Sequence, residues 1–196
     1  MKRSTIIIIA VVLIIFFVIS GAIGRYNSLV TLEEGVDAAW SQVENVYQRR
    51  ADLIPNLVAT VKGYAEHEQE TFIAVTEARS KVGSVNMDGI TNNPEALQQF
   101  QAAQGQLSSA LSRLMVVVER YPDLKANQNF LNLQAQLEGT ENRISVERNR
   151  FNKSAQAYNT QIRRFPGSVY ANLFGFDRKA YFEAESGAEQ APQVAF

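Results

Sequence analysis

The stretch RRADLIPNLVATVKGYAEHE, residues 49–68, gathers the side chains most able to do chemistry: a proline, an amide, a dense set of charges and the chain's single histidine, His67. His67 followed by Glu68 invites a zinc-peptidase reading, which needs two histidines four residues apart on one helical face with a glutamate as general base. Position 71 is threonine, so that site is incomplete. A di-metal bundle would need inward glutamates and two Glu-x-x-His pairs, and the residue three before His67 is Tyr64. The absence of cysteine excludes thiolate nucleophiles, thiolate zinc sites and disulfides. A phosphate cradle would need a glycine-rich loop followed by lysine. Gly35, Gly63, Gly105 and Gly139 instead stand isolated in helical patterns, where their expected use is close helix approach. These residues predict no catalytic group, no metal ligand, no cofactor and no enzyme, with His67 solvated among Glu66, Glu68 and Glu70.

Charge adds binding candidates. The net charge is -1, and without Lys2 and Arg3 the remainder holds 17 basic and 20 acidic side chains, which is no nucleic-acid footprint. Arg143, Arg148, Arg150, Lys153, Arg163 and Arg164, set against Glu141 and Glu147, make one late segment locally basic. Glu66, Glu68, Glu70 and Glu77 make an earlier segment acidic. Neighbouring helices of opposite sign would screen each other, and the alternative is a charged surface for a partner or for lipid head groups.

The elements that must position these residues begin with IIIIAVVLIIFFVISGAI, Ile6 to Ile23, an uncharged run through Val12 and Phe16 bounded by Lys2 and Arg3 before it and Arg25 after it. At about 1.5 Å per residue it nearly crosses a hydrocarbon core of roughly 30 Å. It reads as a retained, single-pass anchor in contact with membrane lipid. The competing reading is a cleaved secretory signal, with Ser20-Gly21-Ala22 as the small-residue site, although the run exceeds the ~7 to 15 residues of a signal core. Lys2, Arg3 and the α-amino group outweigh Arg25, which places the N-terminus in the cytoplasm and the domain on the extracytoplasmic side.

Four amphipathic segments follow. In the first, Leu29, Leu32, Val36, Trp40, Val43 and Tyr47 recur at helical spacing behind a Thr31–Glu34 capping box. The second runs from Ile54 to about Val82. Between the two, Pro55 is expected in a first helical turn with Asp52 as its cap, so that the opening stretch makes a corner. VGSVNMDGITNNPEAL, residues 82–97, is the clearest loop, and Asn93 with Pro94 begins a third helix ending at YPD. The fourth, from about Asp123 to Phe165, places Phe130, Leu137, Ile144, Phe151, Tyr158 and Phe165 seven residues apart, a seam of bundle or coiled-coil geometry. Glu141 and Arg148 interrupt a second row. The aromatics of GSVYANLFGFDRKAYFEAE need cover and are expected to strap back onto the bundle.

The fold class is therefore all-α: an N-terminal transmembrane helix followed by a four-helix up-and-down bundle of long helices. Residues 1–25 form the anchor, 26–183 the bundle with its C-terminal strap, and 184–196 a mobile tail. On the third helix Val116 points away from the core stripe of Leu114 and Val118. With Gln101 and Ser108 near the same surface, it is expected to meet a neighbouring subunit. Arg148, Arg150 and Lys153 offer a second candidate interface.

YNSLV, AAWSQVENVYQRRADLIPNLVATVKGYAEHE, VTEAR, ERYPDLKANQNF, LQAQLEGTENRI and FPGSVYANLFGF together resemble the LemA family, over roughly residues 25 to 183. The resemblance implies one N-terminal membrane helix and a four-helix bundle in a bacterial cell membrane, and it supplies no reaction. The general description of that family places the short N-terminus outside the cell, opposite to the charge count. The expected function is a membrane-anchored bundle that self-assembles or scaffolds envelope proteins. The alternative is an adaptor for a membrane protease or transporter.

Overall fold

The computed structural model describes residues 3–183, apart from the side chains of Arg3, Thr5 and Ile6. The Ile6 side chain and the expected mobile tail, 184–196, thus lie outside the described residues. Helices occupy Arg3–Lys62 (α1), Gln69–Gly83 (α2), Pro94–Val118 (α3), Pro122–Lys125 (α4), Gln128–Arg163 (α5) and Gly167–Phe174 (α6), with a 3-10 turn at Ile90–Asn92. No strand occurs among the described residues.

The corner expected at Asp52 and Pro55 does not form there. α1 is a single helix of 60 residues, about 90 Å long, that carries the apolar run directly into the bundle with Pro55 inside it. Proline lacks the N–H that would bond to the carbonyl four residues back, which is the usual reason a helix ends. Here that carbonyl, on Ala51, accepts Nε of Arg79 from α2 at 3.1 Å. The Asp52 carboxylate caps nothing and accepts Gln48 Nε2 within the same helix at 2.8 Å. Thr31 likewise makes no capping box, because its hydroxyl donates to the Asn27 carbonyl inside α1.

The chain turns later, over residues 63–68. Tyr64 and Ala65 both donate backbone N–H to Val61, and Ala65 is buried. The Glu68 carboxylate accepts from Tyr121 Oη at 3.3 Å and Arg120 Nη2 at 3.0 Å, while Asn127 donates to Tyr64 Oη at 2.9 Å. The distal turns of the bundle are thereby tied together. His67 is exposed.

Asn93 accepts the Ala96 N–H and Pro94 opens α3, as the sequence indicates. The fourth segment is divided: α4 is one short turn, and Asn127 caps α5 by accepting the Phe130 N–H. Phe130, Leu137, Ile144, Phe151 and Tyr158 lie buried along α5, whereas Phe165 is 85% exposed beyond the helix end. A seven-residue period drifts about 20° per repeat on a straight helix, and here the seam stops where the helix does.

Cross-links fix the directions. Trp40 meets Phe151 and Arg50 meets Glu141, so α1 and α5 are antiparallel; Trp40 meets Phe100 and Arg50 meets Ser108, so α1 and α3 run together. Arg79 on Ala51 sets α2 antiparallel to α1. The order is up-and-down. Gly35, Gly105 and Gly139 do not mediate close approach, since a Cβ at any of them would meet nothing within 4 Å.

α2 covers only the distal half of the bundle. Near the anchor its place is taken by buried Ile90 and by residues 176–183, which run along α3 and α5 as the expected strap. Asn159 clamps the backbone of Lys179, donating to its carbonyl at 2.8 Å and accepting its N–H at 2.9 Å. Asn152, seven residues earlier, does the same for Phe182 at 3.0 and 2.9 Å. The Phe182 ring stacks on Trp40, closing the core.

Candidate functional site

The apolar core is divided in two. One cluster, nearer the anchor, contains Trp40, Tyr47, Phe100, Ile144 and Phe151; the other contains Ile54, Leu57, Leu107, Leu111 and Leu137. Between them lies a polar layer built on Arg50, 2% exposed. Arg50 occupies the inward stripe that runs Val43, Tyr47, Arg50, Ile54 and Leu57, so helical geometry forces its guanidinium inward. Nη1 donates to Glu141 Oε1 at 2.6 Å and Ser108 Oγ at 3.0 Å, Nη2 donates to Gln104 Oε1, and the guanidinium lies 5.1 Å from the Tyr47 ring centroid. Burying an ion costs several kcal/mol unless partners compensate, and here one carboxylate and the neutral acceptors of Ser108 and Gln104 do so in part.

Compensation is incomplete, because Arg50 Nε and Gln104 Nε2 have no hydrogen-bond partner among the described residues. Gln104 also forms part of the wall of a groove of about 730 Å³ between α1, α2 and α3, with Glu44, Tyr47, Gln48, Arg79 and Phe100 around it. A guanidinium offers hydrogen-bond donors and no acceptor, and Glu141 is committed to it. The arrangement therefore lends itself to binding and orienting rather than to proton transfer.

A second polar group lies nearer the anchor. Lys179 is buried against the Tyr158 ring, with Nζ 2.8 Å from Glu33 Oε1. The Tyr158 hydroxyl is buried without a hydrogen-bond partner among the described residues. Burial, followed by the Glu33, Asp177 and Asp37 carboxylates, raises its pKa above the usual tyrosine value.

The expected interface residues separate. Gln101 donates to the Glu183 carbonyl of the strap at 2.8 Å, and Ser108 faces Arg50, so neither shares the surface of Val116. Val116 is 68% exposed and shares its face of α3 with exposed Gly105, Ser109 and Ser112, at helical spacing. Arg148 is held inside the chain, donating to the Glu183 carbonyl at 3.0 Å with its guanidinium 4.8 Å from the Phe182 ring centroid. Arg150 pairs with Glu147 on the same helix at 2.8 Å, and Arg150 and Lys153 remain on the surface. In the apolar run Val12, Phe16 and Ile23 are exposed, and among the described residues this is the one helix long and apolar enough to cross a membrane.

The sequence reading missed Arg50, Gln104, Asn152 and Asn159. A charge in the apolar register of α1 was the available signal for Arg50. The paired asparagines, seven residues apart on the α5 seam, were the signal for the strap.

The family model described as the LemA family matches residues 39–196. The magnetosome protein MamQ 2 of Paramagnetospirillum magneticum is 28% identical over 201 residues, covering 93% of this chain and 73% of that protein. The magnetosome protein MamQ of Magnetospirillum gryphiswaldense is 29% identical over 190 residues, covering 87% and 70%. Protein LemA of Metamycoplasma hominis is 26% identical over 177 residues, covering 87% and 77%. None of these names carries an enzymatic activity.

Proposed function

Because the chain belongs to the LemA family, we propose that it is a membrane-anchored helical scaffold that self-assembles through α3 and holds other envelope proteins at the membrane. The observation that carries this reading is the continuity of α1. A flexible linker after the span would let the bundle tumble, whereas an unbroken helix gives it a fixed height and orientation over the bilayer. Surfaces held in one orientation suit repeated contact between copies. The stripe of Gly105, Ser109, Ser112 and Val116 supports α3 as that surface, because small uncharged side chains let another helix approach closely and lose little hydration when covered. The test is the native mass of the full-length chain in detergent across a wide concentration range. A defined oligomer or larger assembly supports the proposal, and a strictly monomeric particle at every concentration overturns it.

The groove beside Gln104 favours a second reading, an adaptor for a membrane protease or transporter. The Gln104 amide N–H in its wall would donate to a carbonyl of an extended segment of the partner, with Tyr47 and Phe100 as the apolar wall. Cross-linking in cells should then recover one stoichiometric partner. Gln48→Trp, which fills the groove, should abolish that recovery, while charge reversal at Arg150 and Lys153 should not.

A further inference from the structure

The sequence FPGSVYANLFGF, residues 165–176, gives only part of its apolar content to the core, Ala171 with Tyr170 and Phe176 packed beside it. α6 buries Gly167 and Ala171, packs Tyr170 against the core, and turns Val169 and Leu173 outward. Gly167 admits no side chain, because a Cβ there would overlap the Gln161 carbonyl oxygen, so α6 is held tightly against the end of α5. Outward lie Phe165, Val169 at 54% exposure and Leu173 at 71%, with Val169 and Leu173 four residues apart on one helical face.

The position of this face is fixed by Tyr26. Its ring lies edge-on to Phe174 with centroids 5.1 Å apart and 5.7 Å from that of Phe176. Tyr26 follows the exposed apolar run by one turn of the same helix, so α6 sits beside α1 where the run ends. The apolar surface of the span and that of α6 are therefore neighbours. Charge follows the same pattern. Residues 24–28 and 163–175 contain Arg25, Arg163 and Arg164 and no carboxylate. All three arginines are exposed, and none forms an ion pair among the described residues. The acidic residues next in sequence to these segments are Asp177, which follows α6, and Glu33 and Glu34, of which Glu33 is held by Lys179.

An apolar face continuous with a membrane span and rimmed by unpaired arginines matches an interfacial helix on an anionic bilayer. Its side chains enter the boundary between head groups and acyl chains, and its cations meet lipid phosphates. We propose that α6 with Phe165 is a second membrane contact of this chain, seating the base of the bundle on anionic lipid. The proposal rests on the membrane-anchored reading and extends it. The span supplies attachment, while α6 fixes the tilt and rotation of the bundle.

The test uses the full-length chain, which has no cysteine, with single cysteines introduced by Val169→Cys, Leu173→Cys and, on the exposed face of α3, Val116→Cys. Each variant is spin-labelled and reconstituted into phosphatidylcholine vesicles with or without phosphatidylglycerol, and circular dichroism confirms unchanged helical content. Accessibility to oxygen relative to a water-soluble nickel chelate should be several-fold higher at 169 and 173 than at 116. The difference should grow when phosphatidylglycerol is present, and Arg163→Gln with Arg164→Gln should remove that growth. Labels at 169 and 173 as water-exposed as at 116 overturn the proposal. Labels shielded from both reagents also overturn it, assigning the face to a protein contact instead. Insertion that ignores lipid charge overturns the anionic part. A chain that fails to stay with the vesicles at all would instead refute the anchor.

Discussion

Arg79 Nε lies 3.1 Å from the Ala51 carbonyl oxygen, the acceptor that Pro55 deprives of its helical donor. One side chain on α2 thus keeps α1 unbroken through a residue that ordinarily ends or kinks a helix. Arg79→Met should lower the stability of the detergent-solubilised full-length protein by ~1 kcal/mol, the usual net value of one hydrogen bond. In a Pro55→Ala background, where position 55 regains its N–H, the same change should cost clearly less. Equal costs in the two backgrounds, read from urea unfolding, would show that Arg79 does not compensate for the proline.

The Arg50 layer should show the asymmetry expected of a buried ion. Glu141→Leu leaves the guanidinium with only neutral acceptors and should cost roughly 2 kcal/mol, below the full cost of breaking a buried pair because the Glu141 side chain is 42% exposed. Arg50→Met combined with Glu141→Leu should be more stable than Glu141→Leu alone, since no unpaired charge remains. Additive losses in the double-mutant cycle would contradict this.

The strap should depend on the two asparagines. Asn159→Ala removes two hydrogen bonds to Lys179 and should cost ~1 to 3 kcal/mol. Limited proteolysis should then cut after residue 174 faster than in the unaltered protein. Unchanged cleavage would mean that Asn152, Phe182 and the contacts of Lys179 and Glu183 hold the strap without Asn159.

Tyr158 should govern part of the alkaline response. Its folded pKa is raised by burial, then by Glu33, Asp177 and Asp37, so the folded state keeps its proton where the unfolded state loses it. The unfolded chain therefore binds fewer protons once the pH passes the ordinary tyrosine value of 10.0, and stability falls as the pH rises beyond it. Tyr158→Phe should flatten that fall. Because the hydroxyl has no partner, the change should leave stability at neutral pH within about 1 kcal/mol of the unaltered protein. A full alkaline fall retained in Tyr158→Phe would assign it to other groups.

Much of this fold is written in local pattern. Asn93 with Pro94 marks the start of α3, and the row from Phe130 to Tyr158 marks the buried face of α5, because caps and periodicity act over a few residues. The corner was misplaced for the opposite reason. What rescues Pro55 is Arg79, 28 residues away, and local rules cannot register a distant donor. Arg50 stands in the apolar register of α1, but its partners Gln104, Ser108 and Glu141 meet it only once three helices are aligned. Asn152 and Asn159 were passed over because the seam was read for apolar residues alone. Gln101 and Ser108 looked like outer surface because the strap, though expected, could not be placed along α3 from local pattern, and neither could the polar layer around Arg50.

Contact between copies along α3 is best measured in the membrane itself, where orientation and local concentration are preserved. In the cysteine-free chain, Val116→Cys places one thiol on the exposed stripe, and Asn149→Cys places one on exposed α5 as the comparison. Mild oxidation of membranes followed by non-reducing electrophoresis should give a covalent dimer from Val116→Cys and little from Asn149→Cys. No dimer from Val116→Cys, or equal dimer from both positions, would contradict assembly through α3.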